Sequence, residues 1–162
     1  MPGISQPSEL AKRVLDRPFT FHEQPVPIPA EYRTKWRVAL LLLLLGACRG
    51  RRARWHQLHV LNWASRSTAN EHAFERLKNG ESRPEDAVVR YDPSLDRAID
   101  FALFARLLER HGGDVLALSA RGLNVLEALR AHNILSREKA FLSRVAPVSE
   151  RLVDSLLARK RQ

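Results

Sequence analysis

The chain has 162 residues, 44% hydrophobic and 28% charged, with 9 prolines, 7 glycines and one cysteine. That composition excludes a disordered or fibrous protein and fits a single domain able to build its own core. Lone Cys48 excludes a disulfide framework and points to a reducing cytoplasm. The 27 Lys and Arg against 18 Asp and Glu leave a net charge of +9, which favours acidic partners: nucleic acid, an anionic membrane surface or an acidic protein. An Arg-, Ala- and Leu-heavy chain also follows from coding composition alone, so charge by itself does not choose a function.

Residues 1–30 combine a short helical stretch, Ser8 to Leu15, with Pro18, Pro25, Pro27 and Pro29. Alternating prolines hold the backbone extended and remove amide donors, so this segment reads as an arm. A helix follows from Glu31 to near Gly50. Its apolar run, Val38 to Cys48, is too short for a membrane span of about 20 residues and reads as a buried helix. No secretory leader is expected, because residues 1–20 lack a basic flank followed by an apolar stretch. A second helix is predicted from Trp55 to about Ser67. A third starts at Thr68, with Glu71 in the capping-box position, and ends at Asn79-Gly80.

Val88 to Tyr91 is short and β-prone and reads as a strand. Asp92-Pro93 supplies an N-cap and a proline at the first helical position, opening a helix expected to run to His111 before Gly112-Gly113. Asp114 to Leu118 reads as a strand, Ser119 caps a further helix, and a helical tail is broken at Pro147 with Ser149 as its new cap.

The run LLERHGGDVLALSARG resembles the end of a winged-helix domain, in which a helix leads into a strand, a glycine turn and a second strand closed by a Leu-Ser-x-x-Gly cap, here Leu118 to Gly122. The expected fold is therefore mainly α, a winged-helix-like domain with a small β-hairpin and additional flanking helices. The expected division is an arm over 1–30, a core domain over 31–133 and a C-terminal helical tail over 134–162.

A helix that reads the major groove needs exposed donors near its start. The one after Asp92 offers Asp92, Asp96 and Asp100, with Arg97 its sole early cation. Leu95, Ala98, Ile99, Ala102 and Leu103 share one face at 100° per residue, while Phe101, Phe104 and Leu108 lie opposite. The second apolar face must be covered either inside the monomer or by a partner, which makes Phe101, Phe104 and Leu108 partner-interface candidates.

Arg49, Arg51, Arg52 and Arg54 form the densest basic cluster, between two predicted helices. Phosphate contact, bidentate contact with partner carboxylates and a merely solvated loop are all open to it. The basic end Arg159-Lys160-Arg161 carries less weight. His56 and His59, one turn apart, lack the further ligands that zinc requires. Asp96 and Asp100 could pair as acid and base but fit a solvated helix start, where their charge complements the helix dipole. With no nucleophile elbow or phosphate loop, no enzyme activity, metal or cofactor is expected.

The Tyr32 to Arg37 lead into the leucine-rich helix, the Leu58 to Ala64 block and the Arg90-Tyr91-Asp92-Pro93 segment before Asp96-Arg97-Ala98 resemble the middle component of prokaryotic ABC three-component systems. That family includes the accessory subunit of Lamassu-type antiphage defence. The resemblance spans roughly residues 30–133. It implies a non-enzymatic, winged-helix-like subunit that sits with an SMC- or Rad50-like ATPase and a separate effector, often a nuclease, in antiphage or anti-plasmid defence; the residues themselves point to the cytoplasm with no membrane association, and leave DNA contact open to the arginine cluster. The alternatives are a free-standing winged-helix transcription regulator and, far behind, a small metalloenzyme using His56 and His59.

Overall fold

A computed structural model describes residues 33–158. The extended arm, the helical stretch Ser8 to Leu15, the first turn expected at Glu31 and the basic end Arg159-Lys160-Arg161 lie outside the described residues. Within them are seven α-helices, α1 (Thr34–Ala47), α2 (Trp55–Ser65), α3 (Thr68–Lys78), α4 (Pro93–Phe104), α5 (Ala120–Ala131), α6 (Ser136–Val145) and α7 (Glu150–Ala158). Three strands join them: β1 (Arg52–Arg54), β2 (Leu108–Arg110) and β3 (Val115–Leu118). The sheet is antiparallel in the order β1-β3-β2. The fold is thus mainly helical and winged-helix-like, as the hairpin-and-cap motif predicts.

Helix α1 forms the axis. Leu40 to Leu45 are six consecutive leucines, all buried, so this helix needs cover on every side. α4, α5, α6 and α2 supply it. α2 is buried almost as completely, from Gln57 to Ser65. No helix of the described residues is long and apolar enough to cross a membrane.

Several local expectations need correction. Val88 to Tyr91 forms no strand, and Val88 is exposed, because no neighbouring strand takes up its backbone groups. The strand that completes the sheet is β1, inside the arginine cluster, with Ala53 facing the core opposite Leu116. The helix after Asp92 ends at Phe104 rather than His111. Arg106 takes a left-handed conformation (φ 56°), and Leu108 to Arg110 then pair with β3. The third helix is capped by Ser67, whose hydroxyl accepts from the Asn70 amide, one residue before the expected Thr68. Within the stretch expected as a C-terminal helical tail, Phe141, Leu142, Val145, Val148 and Val153 join the same hydrophobic core.

The cap after β3 shows why its glycine is required. The Ser119 amide donates to the Leu107 carbonyl at 3.1 Å, its hydroxyl donates to the Arg106 carbonyl at 2.7 Å, and the Gly122 amide donates back to that hydroxyl at 3.0 Å. This draws α5 so close to the end of α4 that a Cβ at Gly122 would overlap the Leu107 carbonyl. Backbone cannot yield as a side-chain tip can. Gly122→Ala is expected to destabilise the chain by about 3 kcal/mol in urea denaturation, whereas alanine at neighbouring exposed Arg121 should change it by less than about 0.5 kcal/mol.

Candidate functional site

Two surfaces gather the residues that sequence singles out. The first is the outer face of α4. Its N-terminus is fixed by Asp92, which accepts from the Ser94 amide at 2.9 Å and from Arg37 at 2.8 Å, while the Asp92 amide donates to His59 Nδ1. One turn on, Asp96 accepts from Trp55 Nε1 at 2.6 Å and pairs with fully buried His59 at 3.0 Å. Asp96 therefore ties α4 to α2 and is no free helix-start acid. Leu95, Ala98, Ile99 and Ala102 then enter the core, and the opposite side turns outward.

That outer side carries Arg97, Asp100, Phe101 and Phe104, all exposed, with Phe101 at 49% and Phe104 at 88%. Of the two ways to cover it, burial within the monomer is not found among the described residues. Leu108 is a correction: it is 3% exposed, buried on β2, because the chain leaves the helical path after Phe104 and turns this leucine inward. Full burial of such a side chain contributes roughly 1.5–3 kcal/mol, of which Phe104 forgoes most and half-exposed Phe101 about half, and the face balances one cation with one acid.

The second surface is the arginine cluster. Arg49 and Arg51 sit on a short 3-10 turn bent by left-handed Gly50 and Arg51 (φ 72° and 55°). Arg52 and Arg54 alternate with inward Ala53 on β1 and point away from the core. The cluster is therefore built, and it edges a cleft of about 740 Å³ that also holds Gln57, His111 and Glu150. Arg54 is committed to Glu150 and lies 3.9 Å from Asp114. The side chains of Arg49, Arg51 and Arg52 make no hydrogen bond or ion pair among the described residues and keep their full guanidinium donor sets, while the Arg49 and Arg51 amides donate to the Val148 and Cys48 carbonyls.

The histidine pair does not converge. His56 turns to Asp154 at 2.9 Å and Asp114 at 3.8 Å, while His59 is spent on Asp96 and the Asp92 amide. Among the described residues no group of three or more His, Cys, Asp or Glu is placed to hold a metal ion. Buried Cys48 donates to the Leu44 carbonyl, and burial pushes its thiol up to about 12. It stays protonated at neutral pH and is no nucleophile; alkylation of Cys48 at pH 8 is expected only after unfolding, followed by mass spectrometry.

Compared with known proteins, the chain matches no protein-family description, no curated protein and no solved structure.

The Asp92 carboxyl reports on how firmly α4 is held. Burial alone would raise it, but hydrogen bonds from the Ser94 hydroxyl and amide, with the charge and hydrogen bond of Arg37, outweigh that and bring it down from 3.8 to about 2. A folded value below the unfolded one means stability that is present above pH ~4 and is lost as pH falls toward about 2. Asp92→Asn is expected to cost about 2 kcal/mol at pH 7 and almost nothing at pH 2 in denaturant titrations.

Proposed function

We propose that this protein is a non-enzymatic accessory subunit that docks on an SMC-like ABC ATPase in the cytoplasm, within a complex that also contains an effector and acts in antiphage or anti-plasmid defence. The observation that carries the reading is the outer face of α4. In a winged-helix DNA reader this element would offer donors to base edges; here it offers two exposed phenylalanines, one arginine and one aspartate. A surface of that kind gains most from an apolar protein groove. The resemblance to the middle component of ABC three-component systems agrees with it, and a free-standing transcription regulator is poorly served by such a helix.

Arg49, Arg51 and Arg52 support a second contact, with DNA phosphates or with carboxylates of the partner. Phosphate contacts release counterions and so make affinity fall with salt.

Co-expression with an SMC-like ATPase, which this reading expects to be encoded beside it, tests the docking. Phe104→Asp is expected to reduce co-purification by about tenfold or more, with an unchanged melting temperature because the side chain is already in solvent. Undiminished co-purification would refute docking through this face. Replacing Arg49, Arg51 and Arg52 with alanine should lower the salt slope of the assembled complex's DNA affinity by about 3 if each meets a phosphate; an unchanged slope would assign those arginines to protein carboxylates or solvent.

A further inference from the structure

The cleft beside the arginine cluster takes its walls from distant parts of the chain: Arg49 to Arg54, the hairpin at His111 and Val115, and the start of α7 at Ser149 and Glu150. At about 740 Å³ it has room for much more than one phosphate group and lies within the usual range of ligand sites. Arg49 and Arg52 line it with uncommitted, exposed side chains, whereas Arg51, between them in sequence, does not line it. Two free guanidinium groups suit a phosphate, whose oxygens accept their paired N–H donors.

Gln57 lies deeper. It is 2% exposed, and its Nε2 donates to the Val148 carbonyl at 3.4 Å, which leaves Oε1 as the free end. That oxygen accepts nothing among the described residues, yet it is not sealed: the unpartnered atoms closed to solvent there are Arg37 Nε, Asn62 Nδ2 and Glu71 Oε1. An open acceptor on a buried side chain that lines a cleft calls for an N–H or O–H from its occupant. Arg54 adds a flat surface. Glu150 holds its guanidinium while the side chain stays 47% exposed, so it presents a fixed plane on which a ring can stack. Half-buried Val115 pairs with Arg54 across the sheet and extends that surface.

We infer that this cleft binds an unpaired nucleotide, with its phosphate on Arg49 and Arg52, its base against Arg54 and Val115, and a base N–H donated to Gln57 Oε1. The inference rests on the reading of these arginines as phosphate contacts and is independent of the α4 face. A free mononucleotide and one residue of a single strand share this chemistry. A base in a duplex does not, because its faces are stacked and its pairing edge is occupied.

NMR titration of the full chain with deoxyadenosine monophosphate tests it, with deoxyadenosine and inorganic phosphate as its two halves. The nucleotide is expected to shift the Gln57 side-chain amide and Val115 methyl signals to saturation, about tenfold or more tighter than either half. Arg49→Gln and Arg52→Gln should each weaken it about fivefold or more with melting unchanged, while Arg51→Gln, which removes the same charge, keeps it within about twofold. Single-stranded oligodeoxyadenylate that shifts the same signals more tightly than the mononucleotide would make the occupant part of a strand; a weaker oligomer would make it a free nucleotide, and either result supports the site. Nucleotide binding no tighter than inorganic phosphate, or equal losses from Arg51→Gln and Arg49→Gln, would overturn the proposal. Duplex affinity that still falls with salt would then leave the arginines as phosphate contacts and remove only the cleft; no binding of duplex or nucleotide would remove both.

Discussion

The architecture follows from one demand: six consecutive leucines on α1 must be hidden all the way round. Burying each is worth roughly 1.5–3 kcal/mol, and a helix with no polar side can be satisfied only from several directions at once. α4 covers one side, α5 another, and α6 a third. α5 comes near enough that a Cβ on Gly46 would stand 2.8 Å from the Leu126 side chain. A helix recruited as cover gives its apolar stripe to α1. For α4 that stripe is Leu95, Ala98, Ile99 and Ala102, and what remains outside is the phenylalanine face.

Apolar burial alone would leave α4 free to rotate or slide, because hydrophobic contact is non-directional. Directional groups on α2 remove that freedom. His59, buried with its ring in a three-way cluster with those of Trp55 and Tyr91, accepts from the Asp92 amide at one nitrogen and pairs with Asp96 through the other. Arg37 on α1 holds Asp92 from a second side. These contacts fix both height and rotation of α4, so the outward direction of Phe101 and Phe104 is set by polar geometry at the opposite end of the helix. A structural role for His59 and Asp96 also accounts for residues that, in sequence, invite a metal or acid-base reading.

Features with a local physical cause were legible in the sequence. The leucine run, Asp92-Pro93, Ser119 and Ser149 each announce an element through their own neighbours, and the alternation of faces on α4 followed from residues 95–104. The failures share a cause. Arg-Ala-Arg at β1 and Leu-Glu-Arg at β2 are three residues each, too short for an alternating pattern to stand out, and only pairing with β3 makes them strands. Leu107-Leu108-Glu109-Arg110 has strong helix propensity, which the hairpin overrides, and that displaced Leu108 from the face assigned to it. The arginine cluster was visible as a charge run, but not the ion pair that withdraws Arg54, because Glu150 lies far along the chain. The cleft around Gln57 was invisible for the same reason: its walls come from β1, the β2–β3 hairpin and the start of α7.

Docking through the outer face of α4 can be tested at the contact itself. A photo-crosslinking phenylalanine analogue at position 104, irradiated in a complex assembled with the proposed SMC-like ATPase partner and duplex DNA both present, should give a covalent adduct to the ATPase polypeptide. An adduct to DNA, or none at all from a complex shown to have assembled, would contradict the account.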